Sequence, residues 1–161
     1  LMRSSAASDV YKRQAVITDI GQADDIHPRN KQDVGLRLAL NALNKDYGKK
    51  NLVCVGPTYK SMRVDGHKII ISYDHIGSGL VVKNKYGYIE GFAIAGSTGE
   101  YHWAKAYLDG SCVIVYSDEV TDPVHVRYAW SNNPDVNLYN REGLPAVPFR
   151  TDSRRGITQY D

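Results

Sequence analysis

The sequence predicts an α/β segment followed by an antiparallel β-sandwich or jelly roll. One strand–loop–helix pattern occupies residues 15–50, and short β-branched segments separated by Gly, Asp and Asn follow it. Two Asp-Gly pairs mark tight turns between such segments. Strand, loop and helix form the unit of α/β domains, whereas many short, turn-bounded strands are typical of antiparallel sandwiches. We therefore predict two regions, residues 15–50 and 51–161.

Residues 1–14, LMRSSAASDVYKRQ, differ in character from the rest of the chain. They show no apolar periodicity, do not begin with Met and lack the apolar core of a signal peptide. We interpret them as a non-native segment that resembles translated adapter sequence. The natural protein is then expected to continue upstream, which would make this chain a fragment.

The first structured elements are predicted to be a buried strand over residues 15–20, AVITDI, and a helix over residues 28–47. Pro28 suits the first turn of a helix, where its missing N–H costs nothing. Apolar residues at i, i+4, i+7 and i+11 predict one continuous stripe. This stripe consists of Leu36, Leu40, Leu43 and Tyr47. One strand and one helix cannot bury their own faces, so we expect the rest of their domain to be missing.

The β region is predicted from eight short apolar segments. They are residues 52–55, 61–64, 68–73, 80–82, 89–95, 103–108, 112–116 and 125–130. Asp109-Gly110 is the strongest hairpin signal, and Asp65-Gly66 is a second. Residues 132–161 are rich in Asn, Pro and Arg, and we predict ordered loop with a frayed end there.

Charge and cysteine content limit the possible partners. The net charge is +2, but without residues 1–14 the basic and acidic residues are equal in number and interspersed. A nucleic-acid partner is therefore not supported, and no apolar run approaches the ~20 residues of a membrane span. Cys54 and Cys112 lie in apolar segments, which fits two buried thiols or, in an oxidising compartment, a disulfide. No Cys/His cluster has zinc-ligand spacing.

His27 is the histidine whose context favours chemistry. It follows the predicted strand, precedes the predicted helix, and comes just after Asp24 and Asp25. Residues at the carboxyl ends of strands face the active-site crevice in α/β enzymes. A histidine there can act as general base if a carboxylate orients its other ring nitrogen. Asp24 and Asp25 are rival orienting residues, and a capping or hydrogen-bonded loop histidine is the alternative.

The segment around His27 resembles a known family. D-D-I-H-P-R-N-K-Q at residues 24–32, followed by G-x-R-L-A-L at 35–40, is similar to the C-terminal block of the sialate O-acetylesterases, serine esterases of the SGNH hydrolase type. Further similar motifs are V-G-P-T-Y at 55–59, E-G-F-A-I-A-G at 90–96, V-R-Y-A-W at 126–130, N-L-Y-N-x-E-G-L-P-A at 137–146 and P-F-R-T-D at 148–152. The likeness covers residues 15–152. It implies that residues 15–50 are the last strand and helix of an SGNH hydrolase domain and that 51–161 form an accessory β domain.

The resemblance also implies an activity. Such enzymes hydrolyse acetyl esters on glycans by Ser-His(-Asp) acyl transfer without a metal or organic cofactor, in a periplasmic or secreted setting. His27 matches the catalytic histidine. An Asp three residues earlier, typical of SGNH enzymes, matches Asp24, whereas the acid directly before Ile-His, more frequent in sialate esterases, matches Asp25.

The serine of this mechanism has no counterpart in the sequence. The Gly-x-Ser nucleophile block and the Gly and Asn of the oxyanion hole are absent. Ser72, Ser78, Ser97 and Ser117 lie in the β region and match no family nucleophile. The chain alone is therefore expected to be inactive and to need the missing hydrolase domain as its partner.

A non-catalytic module is the alternative function. In that interpretation residues 51–161 bind carbohydrate or dock on a partner. Tyr101-His102-Trp103 and Tyr128-Ala129-Trp130 place aromatic rings near polar groups, as sugar-binding surfaces do. The same aromatics would also fit a sandwich core or the interface with a hydrolase domain.

Overall fold

The computed structural model describes residues 14–154, in which one helix and ten strands are found. The predicted non-native segment therefore lies outside the described residues, except for Gln14. The helix is α1 (Lys31–Lys45). The strands are β1 (Thr58–Asp65), β2 (Lys68–Asp74), β3 (Leu80–Val82), β4 (Phe92–Ala95), β5 (Tyr101–Trp103), β6 (Lys105–Asp109), β7 (Cys112–Tyr116), β8 (His125–Tyr128), β9 (Leu138–Asn140) and β10 (Phe149–Arg150).

The strands form antiparallel sheets, which confirms that part of the prediction. The first sheet has the order β1-β2-β7-β6, the second has β10-β8-β4-β5, and β3 pairs with β9. Both predicted hairpins are present: Asp65 pairs with Lys68, and Asp109 pairs with Cys112. The first residue of each two-residue turn, Gly66 or Gly110, has a positive φ. Two-residue turns need a positive φ at this position to match the twist of the flanking strands.

The two four-stranded sheets contribute to one hydrophobic core. Alternate residues of each strand face it, because side chains on a strand alternate between the two faces. The fully buried members from β2, β7, β4 and β8 are Ile69, Ile71, Val113, Val115, Phe92, Ile94, Val126 and Tyr128. The rings of Phe92 and Tyr128 lie 4.7 Å apart, as do those of Tyr59 and Phe149. Aromatic contacts therefore close one end of this core.

Several predicted strands have different limits in the structure. The segment predicted over 125–130 ends at Tyr128, because Ala129 has a φ of 52° and the alternation stops there. The segment predicted over 103–108 is two strands of different sheets, separated at Ala104. Residues 132–154 hold β9 and β10, which were predicted as loop. Strands of two or three residues are too short for a period-2 pattern to reveal.

The predicted strands at residues 15–20 and 52–55 are wrong for the described structure. Residues 18–20 form a turn in which the amides of Ile20 and Gly21 both donate to the carbonyl of Ile17 at 3.1 Å. Neither segment pairs with another strand among residues 14–154. An apolar segment becomes a strand only when a neighbouring strand supplies its hydrogen bonds.

Helix α1 is shorter than predicted. Asn30 caps it by accepting a hydrogen bond from the amide of Asp33 at 3.1 Å, so Pro28 lies before the helix. Its buried residues are Arg37 and Asn41, whereas much of the predicted apolar stripe is exposed. Leu36 is 53% exposed and Tyr47 is 74% exposed. Across residues 14–154, no helix has the length and apolar character needed to cross a membrane.

The close approach of Gly56 to Pro145 can be tested by two glycine substitutions. Gly56 is buried, and a Cβ there would overlap the carbonyl oxygen of Pro145. We expect Gly56→Ala to lower the free energy of unfolding by about 2 kcal/mol or more, because backbone must move to accommodate the methyl group. Urea unfolding followed by circular dichroism measures this change.

The matched control is Gly35→Ala within α1. No atom lies within 4 Å of a Cβ built at Gly35. Alanine favours a helix interior over glycine by about 0.8–1.0 kcal/mol, so this variant should be stabilised. Equal effects of the two substitutions would contradict the close approach of Gly56 to Pro145.

Candidate functional site

In the loop before α1, both the backbone amide and the ring of His27 contact the carboxylate of Asp25. The backbone amide of His27 donates to Asp25 Oδ1 at 2.8 Å, and His27 Nδ1 lies 3.0 Å from the same oxygen. A bridge between Gln22 and Asp25 closes the loop on the other side. One carboxylate therefore holds both the backbone and the ring of the histidine.

The second ring nitrogen of His27 is left for other chemistry. The His27 side chain is 76% exposed, and within residues 14–154 its ring bonds only to Asp25. A carboxylate on Nδ1 fixes the orientation of the imidazole and leaves Nε2 to exchange a proton. The amide of His27, and then its ring, lower the pKa of the Asp25 carboxyl below its ordinary value, so Asp25 is ionised at neutral pH.

Of the two acids proposed to orient His27, the structure brings only Asp25 into contact with it. Asp24 is exposed in the turn, and its side chain forms no hydrogen bond with His27. The helix-capping role considered for His27 belongs to Asn30. The geometry thus fits a hydrogen-bonded acid–histidine pair, and whether this pair is catalytic stays a prediction.

A buried ion pair anchors the segment that carries His27. Arg37 Nη1 and Nη2 donate to the two carboxylate oxygens of Asp19 at 2.6 and 2.7 Å. Both side chains are under one-tenth exposed. Arg37 also donates to the carbonyl of Val16 at 2.6 Å, and the hydroxyl of Tyr139 in β9 donates to Asp19 at 3.2 Å. This network, which the sequence did not reveal, joins residues 16–37 to the β region.

The ionisation of Asp19 follows from these contacts. Burial raises the pKa of a carboxyl, but the hydrogen bonds and positive charge of Arg37 outweigh it, so the pKa of Asp19 is lowered. The same bonds raise the pKa of Arg37. The pair is therefore fully charged near neutral pH.

A second polar contact joins α1 to the chain that follows it. The side-chain amide of Asn41 donates to the carbonyl of Cys54 at 3.2 Å.

Cys54 and Cys112 are both free, half-buried thiols, so the structure has no disulfide between them. The hydroxyl of Ser72 lies 3.8 Å from the sulfur of Cys112.

A cleft of about 1060 Å³ forms a second candidate site, at the edges of the two sheets. We call it the aromatic cleft; its aromatic lining residues are Tyr86, Tyr88, Phe92, Tyr101, Trp103, Tyr107, Tyr116 and Trp130. Trp103 is 76% exposed and Trp130 is 52% exposed. All lining residues lie between Tyr86 and Asp135, so no residue of the His27 segment takes part. One alternative placed these aromatic residues in the sandwich core, and it is wrong for Trp103 and Trp130.

Arg127 in this cleft is paired with a buried carboxylate. It is half-buried and donates to both oxygens of Asp152, from Nε at 2.7 Å and Nη2 at 2.9 Å. The hydroxyl of Tyr101 donates to the same carboxylate at 2.8 Å. These bonds, from Arg127 first, hold the pKa of the buried Asp152 far below its ordinary value. Burial and the bond to Asp152 raise the pKa of Tyr101 to about 12.

Among the other histidines of residues 14–154, only His102 also has a carboxylate at its Nδ1. His67 is exposed in the turn after β1, and His75 Nδ1 lies 3.3 Å from the hydroxyl of Thr58. His102 Nδ1 lies 2.8 Å from Glu119 Oε2 at the rim of the aromatic cleft, and His125 is half-buried in β8.

The known proteins that are similar to this chain in sequence and in structure include sialate and carbohydrate acetylesterases. The curated sialate O-acetylesterases of Homo sapiens, Pongo abelii and Mus musculus are 33%, 30% and 30% identical over 84%, 84% and 89% of this chain. The crystal structure of a carbohydrate acetylesterase from Xanthomonas citri matches 88% of this chain with a TM-score of 0.82 and 51% identity. No protein-family model matches. The chain spans 28–29% of the length of those three esterases and 32% of the Xanthomonas chain.

The buried Arg37–Asp19 ion pair is expected to matter for the free energy of unfolding. Asp19→Asn leaves a buried guanidinium without its counter-charge, and removing one partner of a buried pair costs about 3–5 kcal/mol. We expect a loss of this size in the free energy of unfolding at pH 7, measured with urea. Asp65→Asn is the control, since its bond with Arg63 is exposed and should contribute less than about 1 kcal/mol.

The same pair makes the stability depend on pH. The folded-state pKa of Asp19 lies below the ordinary value of 3.8, so the ionised form adds stability above that pH. This contribution disappears as the pH falls through the folded-state pKa. As the pH decreases from about 5 through the folded-state pKa of Asp19, the unfolding free energy should therefore fall more steeply for the wild type than for Asp19→Asn. Parallel curves would contradict a depressed pKa of Asp19.

Proposed function

Because the chain is related to the sialate O-acetylesterase family, we propose that it is the C-terminal part of a carbohydrate O-acetylesterase that hydrolyses acetyl esters on glycans. The Asp25–His27 pair carries this proposal, since it supplies two parts of a Ser-His-Asp triad in a segment that resembles the family. The coverage of about a third or less of each relative supports a chain that works as part of a longer enzyme.

In this proposal the chain has two parts. Residues 15–50 complete an SGNH hydrolase domain, and residues 51–161 form an accessory β-sandwich. The exposed apolar side chains of α1, such as Leu36 at 53%, support a missing neighbour on that face of the helix. The shared core of the two four-stranded sheets supports a separate β domain.

The chemistry assigned to this chain is proton transfer. A serine of the hydrolase domain, outside this chain, attacks the acetyl carbonyl, and His27 Nε2 accepts its proton. Asp25 holds Nδ1–H and stabilises the imidazolium that forms. His27 then gives the proton to the sugar oxygen, which leaves as a hydroxyl, and water hydrolyses the acetyl-serine with His27 again as base. No metal or organic cofactor is required.

A periplasmic or secreted location fits this activity. Acetylated glycans are largely extracellular polymers, so the proposed substrate would be met outside the cytoplasm. The acetylated glycan is the proposed partner of the complete enzyme.

The histidine assignment is tested in the complete esterase that contains this chain. We expect His27→Ala to reduce kcat for an acetylated sugar by about 10³-fold or more, because the serine loses its base. Acetate release at saturating substrate measures the effect. His67→Ala, an exposed turn histidine, is the control and should retain wild-type turnover. Normal turnover of His27→Ala would exclude the proposed role.

The orienting acid is tested by comparing its two candidates. Asp25→Asn should lower kcat by about 10²-fold or more, because an amide does not stabilise the imidazolium. Asp24→Asn should stay within about threefold of wild type, since Asp24 does not touch His27 in the structure. The reverse order would assign the role to Asp24.

A further inference from the structure

Both tryptophans of the chain lie at the aromatic cleft and both are largely exposed. The sequence contains two tryptophans, Trp103 and Trp130, which are 76% and 52% exposed. Indole rings are on average well buried in folded proteins. Exposed apolar surface next to polar groups marks a binding site. The placement of both indoles at one cleft therefore indicates a surface that a ligand or the missing hydrolase domain covers.

The backbone holds these rings outward. Ala129 has a φ of 52°, and its amide donates to the carbonyl of Gly91 at 2.8 Å, which turns Trp130 away from the core side of β8. Trp103 ends β5, and the next amide, of Ala104, donates to the carbonyl of Phe92 at 3.0 Å. Both indoles are thus displayed by hydrogen-bonded backbone, so their exposure is built into the fold.

A third aromatic platform lies beside them. Tyr86 and Tyr88 stack with ring centroids 6.0 Å apart, and they are 69% and 48% exposed. Asn84 supports this turn: its Oδ1 accepts from the amides of Tyr86 and Gly87 at 3.1 and 2.7 Å. Its side-chain amide donates to the carbonyl of Tyr88 at 2.8 Å. The cleft therefore offers several flat apolar surfaces at fixed positions.

The cations of the cleft are already paired with carboxylates of the same chain. Arg127 donates from Nε and Nη2 to the two carboxylate oxygens of Asp152, and Lys105 Nζ lies 2.6 Å from Asp118. His102 lies 2.8 Å from Glu119. Charge that is compensated within the protein gives little attraction for an anionic ligand. The electrostatics therefore favour a neutral ligand.

We propose that the aromatic cleft binds a neutral stretch of a glycan chain, whose pyranose rings stack on Trp103 and Trp130. A pyranose ring has an apolar C–H face and a rim of hydroxyls, which matches flat aromatic surfaces bordered by polar side chains. The volume of about 1060 Å³ slightly exceeds the ~300–1,000 Å³ typical of small-ligand sites. It suits an oligosaccharide better than a single sugar.

This site is separate from His27, because all of its lining lies between Tyr86 and Asp135. It goes beyond the proposed esterase function, in which it would hold the polymer while the acetyl group is removed elsewhere. Binding in the cleft needs no catalysis, so it can be measured on this chain alone.

Tryptophan fluorescence tests the proposal directly, since both emitting residues lie at the cleft. The purified 161-residue chain is titrated with xylohexaose, cellohexaose and mannohexaose, and with 3′-sialyllactose as a charged probe. We expect a saturable emission change with at least one neutral hexasaccharide. Trp103→Ala and Trp130→Ala should each weaken that affinity about tenfold or more, measured by calorimetry.

Tyr47→Ala is the matched control, because Tyr47 is 74% exposed but follows the C-terminal end of α1 and does not line the cleft. It should retain wild-type affinity, as should His27→Ala, and circular dichroism should show all variants folded. The absence of saturable binding by every neutral hexasaccharide, or unchanged affinity in both tryptophan variants, would overturn the proposal. Binding of sialyllactose alone would overturn it too. Loss of esterase activity without loss of glycan binding would affect only the His27 assignment.

Discussion

The ion pair between Arg37 and Asp19 joins the His27 segment to the β region. Arg37 reaches from α1 to Asp19 and to the carbonyl of Val16, and Tyr139 of β9 completes the carboxylate's contacts. A buried charge pair tolerates little displacement, because each charge needs the other and its hydrogen bonds. The position of the loop between Asp19 and α1, and so of His27, follows from this constraint.

The two candidate sites are organised in different ways. At His27 a single carboxylate fixes an exposed ring, which leaves one nitrogen open for proton transfer. In the aromatic cleft the charges of Arg127 and Lys105 are neutralised internally, and flat aromatic surfaces remain. The first arrangement suits a reacting group, and the second suits a neutral polymer that is held without being changed.

Helix α1 leaves its apolar stripe exposed, as expected of a helix whose neighbouring sheet is missing, and contacts the described chain through polar side chains. The leucine spacing correctly indicated a helix, but the side that meets the described chain is the polar one, through Arg37 and Asn41. Periodicity shows that an apolar face exists, and it does not show which neighbour covers it. Leu36 and Leu43 remain exposed here, at 53% and 38%, so the stripe is available to a partner outside residues 14–154.

The sequence by itself determined the antiparallel class, both Asp-Gly hairpins and the helix, because turn chemistry and side-chain periodicity are encoded in neighbouring residues. A local motif also identified His27 as the candidate catalytic residue. Only the tertiary structure decided that Asp25 contacts His27, that Asp19 pairs with Arg37, and that Trp103 and Trp130 share one cleft. Asp24 and Asp25 are neighbours in sequence, and only the folded loop determines which of their carboxylates contacts His27. Pairs separated by 18 or more residues leave no local pattern, since their contact depends on how the whole chain packs.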